Sequence, residues 1–195
     1  GSGTGSISRC YSGSIRRMKG LAFPKVFPRL QTDRLLLREI TPDDREGIFK
    51  NFSDVEVAKW FFEEPYTDME QVDQIIQAFI TEFEEAKGLT WAMVLTRNRE
   101  FVGTCGYGEI DLGSRGEVGF DLAKEHWGKG LMSEALGAVI AYGFDVLGLS
   151  RVEAHTYSAN LRAIRLLTKL GFQVESVQGD SHYFSLAKQE WASLK

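Results

Sequence analysis

The sequence predicts a mixed α/β domain in which an antiparallel first half joins a β-α-β-α-β second half. The result is a sheet of about seven strands with helices on both faces. Three observations point there. Apolar residues recur at helical spacing over residues 69–87. Three short runs of strand formers then follow one another between 89 and 122 with brief links, as in a meander. Beyond 122, helical and strand patterns alternate. A length of 195 residues fits one such domain, and 43% hydrophobic residues are enough for its core.

Taken in order, residues 32–38 (Thr-Asp-Arg-Leu-Leu-Leu-Arg) read as a first strand. Thr41-Pro42-Asp43-Asp44 reads as a helix start, with Thr41 as N-cap, Pro42 at the first helical position and acids in the first turn. Val72, Ile75, Ile76, Phe79, Ile80 and Phe83 form the apolar stripe of a helix that ends near Gly88. Strands are expected at 89–95, 101–110 and 117–122, separated by the turn Arg97-Asn98-Arg99-Glu100 and by Arg115-Gly116. A helix over 131–147 stops near Gly148, and a strand covers 151–157. A helix over 160–170 closes on Gly171 at its C′ position, and strands follow at 172–178 and 182–186.

Residues 1–17 stand apart. Nine of them are Gly or Ser and no hydrophobic period is visible, so they read as an added expression leader, with Met18 as the native start and 18–195 as the domain. The leader takes Arg9, Arg16 and Arg17 with it. The remainder then carries 20 basic and 27 acidic residues, a net charge of −7. That balance argues against non-specific nucleic-acid binding and suits a cationic substrate. No stretch is apolar enough for a membrane span. Cys10 and Cys105 supply no disulfide framework, so a cytoplasmic location is expected.

The most informative segment runs from Glu117-Val118-Gly119-Phe120-Asp121-Leu122 through His126-Trp127-Gly128-Lys129-Gly130-Leu131 to Glu134-Ala135. A strand enters a loop with two glycines, and a helix begins at once. Glycines allow close approach of the backbone, and a helix start presents unpaired N–H groups, so the pair can cradle a pyrophosphate. The plainer reading is that Gly128 and Gly130 only shape the turn. A dinucleotide fingerprint fails because Ser133 stands where a third glycine is needed, and the spacing of a P-loop is absent.

With this loop, the opening Thr32-Asp33-Arg34-Leu35 and the helix Asn160…Lys169-Leu170-Gly171-Phe172, the chain resembles the GNAT acetyltransferase superfamily over roughly residues 30–191. The branch that acetylates the N-termini of ribosomal proteins (RimJ/RimL-like) is the nearest in pattern. The resemblance implies a GNAT fold and acetyl-CoA as co-substrate, lying where the strand from Glu117 splays from the strand ending at Tyr157. Backbone groups of Phe120 and Leu122 would pair with the pantetheine arm. Amides of His126, Trp127, Gly128, Lys129, Gly130 and Leu131 would hold the pyrophosphate, and Asn160 would bond the pantetheine end near the thioester. Arg165 and Lys169 would face the adenosine phosphates or, as plausibly, solvent. Glu125 stands where many relatives have Gln or Arg and should point away.

Acyl transfer to an amine needs a base, because amines with pKa values near 8 to 10.4 arrive protonated. The resemblance makes Glu117 the catalytic base, with Glu109, Asp121 and Asp180 in reserve. Leu167 occupies the place of the family's usual acid, a tyrosine, so water, Ser158 or Tyr107 would have to serve. A thiol can also leave unaided as thiolate. His126, His155 and His182 share no ligand spacing, so no metal is expected. His155 reads as a core or cleft-lining residue and Cys105 as a buried one. The aromatic stretch Trp60-Phe61-Phe62 with Pro65-Tyr66 reads as core or as a wall of the acceptor site, with Glu63, Glu64 and Asp68 able to attract a cationic amine.

The expected activity is acetyl transfer to a primary amine, first of all a protein N-terminal α-amine of the ribosomal-protein type. A small-molecule amine (amino acid, polyamine or aminoglycoside) is the alternative acceptor, and a non-catalytic CoA-binding sensor is the rival class. The amine substrate is the expected partner, without nucleic acid or membrane, for a monomer or homodimer.

Overall fold

The computed structural model describes residues 22–194. Residues 1–17, Cys10 among them, and Met18 lie outside the described residues, so the expectation of a leader falls there too. Eight strands form one sheet: β1 (Leu30–Gln31), β2 (Leu35–Glu39), β3 (Leu89–Leu95), β4 (Phe101–Asp111), β5 (Arg115–Leu122), β6 (Arg151–Tyr157), β7 (Gln173–Gln178) and β8 (Ser181–Ala187). Their order across the sheet is β1-β2-β3-β4-β5-β6-β8-β7, and only the β5–β6 pair among the described strands is parallel. The strand beyond the expected seven is the two-residue β1. Six helices accompany the described sheet: α1 (Arg45–Ser53), α2 (Val55–Ala58), α3 (Met69–Glu84), α4 (Leu131–Asp145), α5 (Leu161–Lys169) and α6 (Lys188–Ser193). None is long and apolar enough to cross a membrane.

The sheet is buried on both sides at its centre, which is why β3 reads as a nearly continuous apolar run. Leu89, Trp91, Met93 and Leu95 of β3 join Leu35, Leu37, Leu136, Ile140 and Phe144 in the larger core, against α4. Ala92 faces the other way, into a second cluster with Ile48 and Phe52 of α1, Val57 of α2 and Val72 and Ile76 of α3. Helix α3 starts on a capping box: Asp68 accepts from the Gln71 N–H at 3.1 Å, and the Gln71 side chain accepts from the Asp68 N–H at 3.2 Å. It closes at Glu84, before the expected end near Gly88, because Ala86 already takes the left-handed turn (φ 56°).

Two sequence expectations are corrected. The first strand does not begin at Thr32. The Thr32 N–H donates to the Leu35 carbonyl at 2.9 Å, so Thr32, Asp33 and Arg34 form the tight turn between β1 and β2. Thr41 is the N-cap, Pro42 the first helical residue and Asp43 and Asp44 the acids of the first turn, as expected, but the element they open is a 3-10 turn, Pro42–Asp44, ahead of α1. The buried Asp44 carboxylate explains that turn. It accepts two bonds from the Arg38 guanidinium, at 2.8 and 2.9 Å, and one from the Thr41 N–H at 2.9 Å.

Removing one charge of a largely buried pair leaves the other without its partner. Asp44→Asn is expected to cost about 3 kcal/mol of stability. The urea midpoint of the variant measures this, and a loss below about 0.5 kcal/mol, the usual range for surface substitutions, would show that Arg38 finds other partners.

Candidate active site

Pairing between β5 and β6 runs only from Arg115↔Arg151 to Glu117↔Glu153, and the two strands then part. On the other side of β5 the antiparallel ladder with β4 continues to Gly103↔Leu122. The Ala123 N–H donates to the Val102 carbonyl at 2.7 Å, so alternation along the ladder turns the backbone groups of Phe120 and Leu122 toward the gap. The Leu122 carbonyl is taken there by the Trp127 indole N–H at 2.8 Å. The Phe120 N–H and carbonyl and the Leu122 N–H have no neighbouring strand among the described residues.

The gap opens into a cleft of about 440 Å³. Its floor is Phe120, Asp121 and Leu122, and one wall is the segment from His126 to Ser133, except Lys129. The other wall is α5 with Asn160, Arg162, Ala163, Arg165, Leu166 and Lys169. Val57, Trp60 and Phe61 stand at the mouth. Gly128 and Gly130 have φ of +73° and +77°, a region that side-chain-bearing residues enter at a cost, so both glycines are required by the backbone path. Gly130 is the N-cap of α4, and the first backbone bond of that helix is donated by Glu134 to the Gly130 carbonyl at 3.1 Å. None of the amides of residues 128–133 donates a hydrogen bond among the described residues. The His126 and Trp127 amides, by contrast, are committed to the carbonyls of Ala123 and Lys124 at 2.9 and 3.2 Å. Free donors therefore run from Gly128 onward; His126 and Trp127 contribute side chains.

The loop is held from outside by the turn at residues 32–34. Glu134 accepts from the Thr32 hydroxyl at 2.5 Å, from the Arg34 N–H at 2.8 Å and from Arg34 Nε at 2.7 Å, while Arg34 also donates to the Lys129 carbonyl at 2.8 Å. Glu125 points away, paired with Lys50 of α1. The His126 imidazole bonds Glu100 at 2.9 Å. Asn160 caps α5 by accepting from the Ala163 N–H at 3.2 Å, which leaves its amide NH₂ without a bond among the described residues. Arg162, which the sequence reading did not single out, lies 4.0 Å over the Trp127 ring. The signal was there: positions 162, 165 and 169 are three and four apart and share one helix face. Neither Arg165 nor Lys169 makes an ion pair among the described residues.

The aromatic stretch divides. Phe62 and Tyr66 pack on Phe52, with ring centroids 5.0 and 5.4 Å away, inside the second core. Trp60 and the exposed Phe61 line the cleft.

Of the proton-transfer candidates, Glu117 is the last residue of β5 paired with β6. It lines a separate cleft of about 160 Å³ with Glu153, His155, Glu175 and Tyr183, not the larger one. Its Oε1 lies 2.5 Å from His155 Nδ1, and this hydrogen bond holds the Glu117 carboxyl below the usual carboxylate range. Glu109 is paired with Arg115 at 2.8 Å. Tyr107 is fully buried and donates to the Val139 carbonyl at 2.9 Å, with its phenol pushed well up by burial, so it cannot serve the cleft as an acid. Leu167 is fully buried in the larger core. Ser158 Oγ pairs with His182 Nδ1 at 2.9 Å. Cys105 is buried, and desolvation raises its thiol far above the ordinary range.

Asp121 borders the cleft, yet its oxygens are turned into the protein. Thr104 donates to Oδ1 through both its hydroxyl and its amide, and Asn51 of α1 donates to Oδ2 at 3.0 Å. Burial nonetheless pushes its pKa up to about 6.

This geometry agrees with comparison to known proteins. Residues 34–173 match the acetyltransferase (GNAT) domain, and the chain belongs to that family. It is 40% identical over 153 residues to the uncharacterized N-acetyltransferase YoaA of Bacillus subtilis, covering 78% of this chain and 86% of the relative. It is 28% identical over 140 residues to the spermidine N(1)-acetyltransferase of Escherichia coli, covering 71% and 73%. Among solved structures, the ribosomal-protein-S5-alanine acetyltransferase from Vibrio fischeri aligns with a TM-score of 0.67 at 21% identity, over 84% of this chain and 98% of that one. The chain is an N-acetyltransferase, in the family to which its three motifs point.

A carboxyl whose pKa is higher in the folded state binds its proton more tightly there. Asp121 therefore adds stability that is complete below about pH 4 and is lost as pH rises through about 6. The difference is on the order of 3 kcal/mol. Asp121→Asn is expected to flatten this part of the profile, so that its stability relative to the wild type improves between pH 4 and 7. Urea melts across that range measure it; parallel profiles would show that Asp121 ionises in the fold as freely as in the unfolded chain.

Proposed function

We propose that the chain binds acetyl-CoA in the larger cleft and transfers its acetyl group to the α-amine of a protein N-terminus. One observation carries this reading: a row of uncommitted amides at the head of α4 continues into the partnerless edge of β5 at Phe120 and Leu122. The pyrophosphate would sit on the amides of Gly128, Lys129, Gly130 and Leu131, where the helix dipole favours an anion. The pantetheine arm would run back along β5, bonding Phe120 and Leu122 as an added strand, and the free amide of Asn160 would bond its far end. Arg165 and Lys169 would attract the adenosine phosphates.

The outward N–H groups of β5 would polarise the thioester carbonyl. The thiol has an ordinary pKa near 8.5, so the sulfur leaves as thiolate without a tyrosine at position 167. Trp60 and Phe61 give the mouth an apolar wall for the residues that follow an acceptor's amine. A polyamine acceptor is the second reading, favoured by the acidic surplus of the chain and by its likeness to the spermidine enzyme.

Calorimetry with acetyl-CoA is expected to show binding that weakens about tenfold in Gly128→Ala, since a side chain disfavours φ of +73° by roughly 1–2 kcal/mol. Arg165→Ala with Lys169→Ala is expected to weaken binding similarly and to reduce its salt dependence. Absence of any heat of association in the wild type would refute the proposal. Thiol release with peptides bearing N-terminal serine or alanine, compared with spermidine, separates the two acceptors.

A further inference from the structure

The geometry points to His155, not Glu117, as the group that takes the proton from the acceptor amine, with Glu117 as the residue that positions its ring. The inference rests on the reading of the cleft given above and adds the identity of the base. His155 lies on β6 two residues beyond Glu153, the last residue paired with β5, so it stands just past the point where the two strands part, where it lines the smaller cleft with Glu117. Nδ1 is bound to Glu117 Oε1 at 2.5 Å. Because a carboxylate only accepts, Nδ1 carries the hydrogen and the lone pair resides on Nε2, which makes no hydrogen bond among the described residues. The ring is stacked on Tyr183 of β8, with centroids 5.8 Å apart and planes at 25°. Its side chain is 53% exposed. On β5, Gly119 stands across the gap two residues past Glu117, and a Cβ built there would meet nothing within 4 Å. The parted strands thus leave open space on the Gly119 side of the gap.

The surrounding charges fit this role. Glu153 of the same strand is paired with Arg115 and Arg151, and Glu175 of β7 with Arg151. Tyr183 of β8, itself titratable, stacks on the ring. Glu117 is thus the carboxylate bonded to the imidazole, and it raises the His155 pKa above the ordinary value while its own falls. An imidazole whose pKa is raised takes a proton from an ammonium more readily than a carboxylate whose pKa is depressed. In the step, R–NH₃⁺ gives one proton to Nε2 and the freed lone pair attacks the thioester carbonyl carbon. The C–N bond forms and the C–S bond breaks, with its electron pair leaving on sulfur. The second amine proton passes through solvent to the thiolate, and the imidazolium releases its proton to solvent, giving the acetamide and CoA thiol.

The test is kcat against pH at saturating acetyl-CoA, with a hexapeptide bearing a free N-terminal serine and with spermidine, for the wild type, H155Q, H155A and E117Q. Acetyl-CoA affinity is measured alongside. Since the neutral imidazole is the active form, kcat should rise with pH through the His155 pKa. H155Q should lose about 10²-fold or more in kcat with acetyl-CoA affinity unchanged, and added imidazole should restore activity to H155A. E117Q should keep the rising limb but shift it to lower pH, with a smaller loss. An H155Q chain that binds acetyl-CoA normally and transfers within threefold of the wild type would overturn the role of His155 and leave the cleft reading standing. A wild type that does not bind acetyl-CoA would overturn both.

Discussion

The early end of the β5–β6 pairing is the constraint on which the remaining architecture depends. Both strands stay paired along their other edges, β5 to β4 across one bulge and β6 to β8, so the parting costs only the bonds they would have made with each other. Gly108 helps: it is the extra residue of a bulge where the β4–β5 register shifts between Tyr107 and Glu109, and bulges increase local bend and twist. Exposed strand edges nevertheless demand partners. Trp127 meets one demand at the Leu122 carbonyl, and the groups at Phe120 and Leu122 that remain are the ones to which the proposed reading assigns an amide-bearing chain.

The rim of the gap is fixed by polar contacts between residues far apart in sequence. Glu134 gathers three donors from Thr32 and Arg34, about a hundred positions earlier. Asn51 reaches Asp121 and so ties α1 beneath the floor. Arg162 stacks on Trp127, linking α5 to the loop. Isolated surface ion pairs contribute little to stability. Their value here lies in holding the free amides of the loop in one arrangement; under the proposed reading this lowers the ordering cost of binding an anion there.

Much of this was legible in the chain itself. The runs at 89–95 and 151–157 are strands β3 and β6 to the residue, because apolar and β-branched residues there face packed surfaces on both sides or alternate cleanly. Other features were hidden because their cause is non-local. Thr32 looks like a strand residue until Glu134 is seen to claim its hydroxyl. Phe61 and Phe62 are neighbours of the same chemistry, yet one joins the core and the other the cleft, as the turn after α2 directs. His155 read as a core or cleft-lining residue and Glu117 as a catalytic base or a strand-edge salt bridge, with nothing to pair the two. Their partnership spans 38 positions and exists only because β5 and β6 lie side by side in the sheet.

Local chemistry by itself determined the element types, the glycine-shaped loop ahead of α4 and the helix headed by Asn160. It did so because propensity, capping and left-handed turns depend on residues within a few positions of one another. The tertiary structure decided which amides remain free, which aromatic side chains reach the cleft and which carboxylates are already paired. Those outcomes depend on where distant strands stop bonding, and no short window of sequence contains both sides of such a contact.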